Sequence, residues 1–221
     1  MPVYKYNSKN DKGILSMSVV SLYDQATKKL NYLDGIAPLL LRLYLAPIFI
    51  QAGWTKFQNF EGTSAWFGNP DWGLGLPFPE VLALLAASTE LVGGFLLLIG
   101  LFTRLISIPL AFTMVVAAIT AHAENGWLAL SDATSWLADG TILLNEQVLG
   151  AVEKKQAAIS ILKEYGNYEW LTSSGSITIL NNGIEFAATY FIMVFVLIFT
   201  GGGRYTSADH FLRKKLFKQG H

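Results

Sequence analysis

Four stretches of the chain are almost continuously apolar, and each is long enough to cross a lipid bilayer as a helix. They cover residues 36–57, 81–101, 105–121 and 184–200. A spanning helix needs about 20 largely apolar residues. The alternation of every second residue that marks membrane β-strands is missing. The pattern therefore predicts helices, because a segment in lipid must satisfy its own backbone polar groups.

Composition supports a membrane protein over a soluble one. Of the 221 residues, 52% are hydrophobic and 14% are charged, whereas soluble domains carry about 25% charged residues. Core helices of a soluble bundle would show polar residues every three or four positions, but residues 186–199 are interrupted only by Thr189 and Tyr190. The chain has no cysteine, which excludes disulfides and cysteine-held metal clusters. The predicted fold is an all-α polytopic membrane protein with an antiparallel four-helix bundle.

The connections between the spans differ greatly in length. Residues 102–104 allow only a tight hairpin between the second and third spans. The first outer loop is expected to be irregular and aromatic, with Trp66 and Trp72, whereas the outer region at 123–183 is too long for a plain connector. It contains apolar positions near helical spacing, interrupted by Lys155, which predict an extra amphipathic helix on the outer membrane face. These positions are Val148, Val152, Ile159, Leu162 and Tyr165.

Charge is distributed unevenly, although the net charge is zero. Basic residues concentrate before the first span, at Arg104 and in the tail, whereas acidic residues concentrate in the outer loops. The positive-inside rule then places both termini in the cytoplasm. Residues 1–35 lack the apolar core of a signal peptide and form an N-terminal extension to the membrane domain at 36–204. The basic tail at 205–221 is better explained as an anchor at lipid head groups than as a nucleic-acid site.

Two charged residues lie within the predicted spans. An ionisable group at the bilayer centre costs about 2.5–3.5 kcal/mol on insertion scales. Glu90 is central in the second span, and Arg42 is six residues into the first. Their depths predict a buried Arg42–Glu90 pair. The pair would either serve chemistry or merely fix the register of the two helices.

A second polar set is predicted at the outer ends of the spans. Lys56 ends the first span, His122 and Glu124 follow the third, and Glu185 and Tyr190 begin the fourth. A histidine beside carboxylates suits proton handling, and the alternative is a polar interface residue held by a backbone carbonyl. Metal sites need three or four converging ligands, and only His122, Glu124 and Glu185 are candidates in or beside the spans, so no metal site is predicted.

Glycines in the second span have two interpretations. Gly93 and Gly94 follow Glu90 by about one turn. They either allow close helix packing or leave room for a flat ligand.

Several short motifs follow one another along the spans, and in this order and spacing they resemble the DoxX family. The similarity runs from Ala37 to about Val116 and resumes from Ile184 to Asp209, while the N-terminal extension and the long outer region depart from the compact family pattern. The motifs are Arg42, Gly53-Trp54-Thr55-Lys56, Gly75-Leu76-Pro77, Glu90-Leu91-Val92-Gly93-Gly94, Gly100-Leu101-Phe102-Thr103-Arg104, His122, and Gly201-Gly202-Gly203-Arg204 leading to Asp209.

The resemblance implies a four-helix protein of the bacterial cytoplasmic membrane. The namesake subunits are associated with thiosulfate:quinone oxidoreductase, and other members with membrane redox complexes. A quinone cofactor and a redox partner protein are thus implied by analogy. The candidate catalytic residues are Glu90, Arg42 and His122. The candidate cofactor-binding residues are Lys56, Glu185, Tyr190 and Gly93.

Two other functions remain open at this point. One is a non-catalytic scaffold that holds a membrane or periplasmic enzyme through the outer region. The other is a small-solute carrier, which four helices without an internal repeat would support only as a homo-oligomer.

Overall fold

The structure is a computed structural model that describes residues 8–30, 33–138 and 146–218. Parts of the predicted N-terminal extension, outer region and tail, at 1–7, 31–32, 139–145 and 219–221, lie outside the described residues. Within the described ranges the chain is helical, without strands beyond one isolated bridge between Leu130 and Leu180. The helices are α1 Ser8–Leu30, α2 Ile36–Gln58, α3 Phe60–Gly68, α4 Pro79–Ile99, α5 Thr103–Ala117, α6 Glu146–Leu149, α7 Ala151–Tyr165, α8 Tyr168–Leu171, α9 Glu185–Thr200 and α10 Ala208–Lys218.

Three described helices are long and apolar enough to cross a membrane. They are α2, α4 and the extension of α5 to Asn125, which passes through a π-helical turn at Ala118–His122. A 23-residue helix such as α2 rises about 34 Å, more than the hydrocarbon core of about 30 Å. The fourth apolar helix, α9, has 16 residues and rises only about 24 Å. The prediction of an all-α membrane protein is confirmed.

The four apolar helices pack as a bundle in which α2 contacts α4, α4 contacts α5, and α9 contacts α5 and α2. Its core is almost wholly aliphatic and aromatic. The buried side chains include Leu45, Phe49, Leu97, Leu110, Val194 and Leu197. The outward faces carry exposed apolar residues such as Phe95, Phe112 and Phe199, as expected of helices whose outer surface is covered by lipid.

Glycines set the distance between α2 and α4. A Cβ on Gly53 would meet the backbone of Ala87 and Leu91, and a Cβ on Gly94 would meet the backbone of Ala46 and Ile50. The two backbones therefore touch directly, which is how small residues favour helix association in membranes. This seam fixes the register of the antiparallel pair.

The two ends of the bundle are built differently. At the terminal end, α2 begins, α4 and α9 end, and α5 and α10 begin. At the loop end, residues 126–131 pair with residues 179–185 through backbone hydrogen bonds, including Asn181 N to Ala129 O at 3.0 Å and Glu185 N to Trp127 O at 2.9 Å. The outer region thus returns to the bundle before α9 begins.

The outer region contains the predicted helix, as α7. Its apolar stripe is divided between two environments. Val148, in α6, packs with Leu128 and Ala138 in a small core of its own, whereas Tyr165 is 80% exposed at the end of α7.

The helices α1, α3, α8 and α10 were not predicted. Trp66 lies in α3 rather than in an irregular loop. Burial of Phe67 and contact with α4 stabilise α3. Its nine residues include two glycines, and because glycine has a low helix propensity the local sequence does not predict a helix here.

Candidate functional site

A buried ion pair joins α2 and α4 within the membrane bundle. Lys56 Nζ donates a hydrogen bond to Glu90 Oε2 at 2.5 Å. The Glu90 side chain is 6% exposed, and that of Lys56 is 25% exposed. Glu90 is eleven residues from the start of α4 and nine from its end, so the carboxylate lies close to the middle of the span.

The α2–α4 seam explains why these two residues meet. The register set by Gly53 and Gly94 places Ala52 beside Glu90 and Lys56 one turn further along. A lysine side chain has four methylene groups, and it can bury them along apolar surface while its ammonium group reaches a partner. Lys56 therefore approaches Glu90 from the loop end of the bundle.

Arg42 does not pair with Glu90, and that prediction was wrong. The close approach at the seam places Arg42 beside Gly100, where a Cβ would collide with Arg42 Nη1. Gly100 and Glu90 are ten residues apart, about 15 Å along a helix axis. The error came from aligning the inner ends of the two helices, whereas α2 extends about six residues beyond the end of α4.

Arg42 instead belongs to a polar junction at the terminal end of the bundle. The guanidinium is fully buried and donates from Nη1 to Leu97 O at 3.3 Å and from Nη2 to Thr206 O at 2.8 Å. Asp209 is an opposite charge that interacts with it electrostatically. Two buried atoms here, Arg42 Nε and Thr103 Oγ1, have no hydrogen-bond partner among the described residues.

Asp209 connects α10 to the start of α5. Its carboxylate accepts from the Phe102 and Thr103 backbone N–H groups at 2.7 and 2.9 Å, and its own N–H donates to Gly100 O at 3.0 Å. The first N–H groups of a helix have no partner within the helix, so the side chain acts as a remote cap. We define the terminal junction as Arg42, Gly100, Phe102, Thr206 and Asp209.

The polar set predicted at the loop end is not gathered into one site. His122 Nδ1 lies 2.9 Å from Asn182 O, the backbone-carbonyl contact that was the alternative interpretation. Glu185 Oε2 accepts from Ala129 N at 2.9 Å, and Glu124 is exposed. No group of three residues able to hold a metal ion occurs in the part of the chain that the structure describes.

Tyr190 lies in an aromatic cluster on the α2–α9 side of the bundle. Its ring stacks on Phe186 with centroids 6.2 Å apart and is tilted against Tyr44 at 6.4 Å. Tyr44 was not singled out in the sequence, because an isolated tyrosine in an apolar span carries no positional signal.

Gly93 faces α5 and leaves no space for a flat ligand. A Cβ at this position would lie 3.0 Å from Leu110 Cδ1 and Cδ2, so the side chain of Leu110 fills the position. Helix packing is the interpretation that the structure supports here.

An acidic side chain at the loop end is held in its charged form by local hydrogen bonds. Thr134 donates to Asp132 Oδ1 from its backbone N at 3.0 Å and from its hydroxyl at 2.6 Å. These bonds lower the pKa of Asp132 from its ordinary value, because they favour the charged carboxylate. The depressed pKa means that the bonds stabilise this turn near neutral pH and that the contribution is lost in acid.

Comparison with known proteins identifies the family. The DoxX profile matches residues 37–123. The protein described as "Inner membrane protein YphA" of Escherichia coli (strain K12) is 33% identical over 98 residues, which are 42% of this chain and 67% of that protein. The chain belongs to the DoxX family.

A second DoxX relative carries a description of activity. The protein described as "Putative oxidoreductase CatD" of Bacillus subtilis (strain 168) is 41% identical over 85 residues, which are 38% of this chain and 59% of that protein. The chain thus spans less than two thirds of CatD. No solved structure matches the chain.

The DoxX match covers α2 to α5 and therefore includes Arg42, Lys56, Glu90 and His122. Helices α1, α7, α9 and α10 lie outside it. The Lys56–Glu90 pair is buried in the bundle near the middle of α4, and it is the strongest candidate for a functional site.

Proposed function

We propose that this DoxX protein is a quinone-linked subunit of a membrane redox complex, in which Lys56 and Glu90 bind the cofactor and handle its protons. The observation that carries the proposal is the ion pair within the span, with Glu90 almost fully buried. Ionisable residues inside a membrane are rare and typically mark pathways for ions, protons or substrates. The oxidoreductase description of CatD points in the same direction.

The donor set of the pair fits a quinone. Lys56 offers an ammonium group that can donate to a carbonyl oxygen, and Glu90 offers a carboxylate that can hold a proton. A quarter of the Lys56 side chain is exposed, so a molecule dissolved in lipid can approach this residue from outside the bundle. When bound, a quinone would supply an acceptor for two electrons and two protons, with the electrons delivered by a redox partner protein.

The other candidate residues have supporting roles in this proposal. Arg42 is a positioning residue, because its contacts hold the terminal junction and not the ion pair. His122 and Glu185 lie near the loop end, where they can exchange protons with water. Tyr190 and Tyr44 provide an aromatic surface on the opposite side of α2.

The proposal is tested by mass spectrometry of the protein purified gently from its native membrane, with quantification of bound quinone. Loss of a charge-assisted hydrogen bond costs about 1.5–3 kcal/mol. The variants Lys56→Met and Glu90→Gln should therefore each bind quinone at least about tenfold more weakly than the wild type and retain less of it. The matched control is Glu80→Gln, the same change at an exposed position in the first turn of α4. Absence of quinone from the wild type, or equal retention in all variants, would refute the proposal.

A scaffold is the second candidate, and it rests on a different observation. The outer region exposes large apolar side chains at Trp136, Tyr165, Trp170 and Leu180, and aromatic residues are common anchors in protein interfaces. We expect Trp136→Ser with Trp170→Ser to release a partner enzyme that co-purifies with the wild type while bound quinone is kept. Trp54→Ser, on the exposed surface of α2, is the control. An unchanged set of co-purifying chains would remove this candidate.

We also propose a location. The relative YphA is described as an inner membrane protein, and the charge distribution favours both termini in the cytoplasm. The expected location is the bacterial cytoplasmic membrane.

A further inference from the structure

Two helices at the terminal end of the bundle leave apolar faces uncovered beside basic residues. We propose that residues 19–30 of α1 and 208–216 of α10 form a basic collar that lies on the membrane and binds anionic lipid head groups. This collar is independent of the quinone site.

The C-terminal half of α1 carries exposed apolar side chains at helical spacing. Val19, Tyr23 and Leu30 share one face and are each more than 60% exposed. Asp24 and Lys28 lie on the opposite face. An apolar face on a helix normally packs against a core, but α1 makes no substantial contact with any other described helix.

α10 shows the same combination. Phe211, Leu212 and Leu216 are exposed, and Arg213, Lys214 and Lys215 follow or alternate with them. Asp209, an acidic residue of this helix, has its carboxylate oxygens occupied by the backbone of α5. The exposed charge that α10 presents over residues 211–216 is therefore positive.

The junction places both helices at the membrane surface. Thr206 Oγ1 donates to Gly35 O at 3.2 Å, and Arg204 Nη1 lies 3.9 Å from Asp34 Oδ2. Gly35 directly precedes α2, so α10 begins beside the point where α2 enters the bilayer. The five residues between Leu30 and Ile36 span at most about 18 Å when extended, which keeps the C-terminal end of α1 near the same surface.

The positive charge of these helices and the place of α10 beside the start of α2 favour lipid as the occupant. Basic amphipathic helices bury their apolar face at the boundary between head groups and acyl chains, and Lys and Arg side chains are attracted to anionic lipids. The exposed apolar side chains of α1 and α10 resemble those on the outer surface of α2 and α5, which lipid is expected to cover. Phosphatidylglycerol has the required chemistry, an anionic phosphate above acyl chains.

The depth of the collar can be measured directly, because the chain has no cysteine. Single substitutions Tyr23→Cys and Leu212→Cys would carry an environment-sensitive fluorophore in the full-length protein in nanodiscs. The matched labels are at Gln25→Cys and Lys214→Cys, on the opposite helix faces. In bilayers with phosphatidylglycerol, the emission of the first two labels should shift to the blue and be quenched by lipid-attached quenchers, while the matched labels report water.

The second part of the experiment tests whether lipid binding depends on the basic residues. Lys28→Gln with Lys29→Gln, and Arg213→Gln with Lys214→Gln and Lys215→Gln, alter exposed residues only, so the bundle should fold. These changes should abolish the difference between phosphatidylglycerol-containing and pure phosphatidylcholine nanodiscs, and high salt should do the same to the wild type by screening.

Three results would overturn the collar. Labels at Tyr23 and Leu212 that report water in both bilayers would leave no lipid contact. Equal blue shifts in phosphatidylcholine alone would remove the anionic preference. A blue shift that appears only after a cytoplasmic protein fraction is added would identify the faces as a protein-docking surface instead.

Discussion

At the level of single residues, the ion pair has an asymmetric energetic role. Glu90 is buried by packing against the seam, whereas Lys56 retains a partly exposed side chain. Breaking a buried pair by removing one partner is costly because a charge remains without compensation, while replacing both partners by neutral residues is often tolerated. The relative stabilities of the single and double variants therefore distinguish this buried pair from a surface ion pair.

Lys56→Met should destabilise the protein by about 3–5 kcal/mol, because it leaves the Glu90 carboxylate alone in the interior. Glu90→Gln should cost less, since Lys56 can turn its ammonium group towards the surface. The double variant should be more stable than Lys56→Met alone. For all three variants, the stability is measured as the temperature at which half of the monodisperse gel-filtration peak is lost after heating. A double variant that is no more stable than Lys56→Met would contradict the pairing.

Gly100 is restricted both by its conformation and by its neighbours. Its φ is +69°, and a Cβ would collide with Arg42 Nη1 and lie 2.7 Å from Ser207 Cβ. Gly100→Ala should therefore lower the melting temperature more than Gly175→Ala. Gly175 also has positive φ, at +144°, but has nothing within 4 Å of its Cβ position. Equal shifts would show that only backbone conformation matters at Gly100.

At the level of helices, α5 depends on a cap supplied from far along the chain. Phe102, at its N-terminal boundary, has a positive φ of 52°, an uncommon conformation for a bulky residue. The bonds from Phe102 N and Thr103 N to Asp209 hold it there. The start of α5 is thus fixed by α10 and not by its own sequence.

Asp209→Ala should cost about 1–2 kcal/mol through loss of the cap, and Asp209→Asn should cost less because it keeps one acceptor oxygen. The control is Asp34→Ala, which removes an exposed pair with a separation of 3.9 Å and should change stability by less than about 1 kcal/mol. Thermal stability in detergent gives the comparison. If Asp209→Ala matched the control, the cap would have no stabilising role.

At the level of the whole molecule, three long apolar helices and the shorter α9 account for the membrane domain. A helix shorter than the hydrocarbon thickness is accommodated by thinning of the bilayer or by its flanking residues. We expect α9 to cross as well, and four crossings would place the two termini on one side of the membrane and the outer region on the other.

This topology can be checked with single cysteines at Gln25, Lys214 and Trp170 in the otherwise cysteine-free chain. A membrane-impermeant maleimide added to intact cells should label Trp170→Cys but reach the other two only after the membrane is permeabilised. Labelling of Gln25→Cys and Lys214→Cys on opposite sides would mean that α9 does not cross.

The sequence by itself determined the class of the molecule. Runs of apolar residues in 36–57, 81–101, 105–121 and 184–200 predict helices because lipid leaves no other way to satisfy the backbone. The predicted helix within the outer region is also present, as α7. These features follow from local composition and spacing, which a single chain displays directly.

Only the tertiary structure decided which charges meet. Arg42, Lys56, Glu90 and Asp209 are all visible in the sequence, but their pairing depends on the relative depth of separate helices. Gly53 and Gly94 set that depth by letting α2 and α4 touch, which brings Lys56 to Glu90 and leaves Arg42 beside Gly100. Hydrophobic patterns fix which face of a helix is buried but allow it to slide along its neighbour, and close backbone packing removes that freedom.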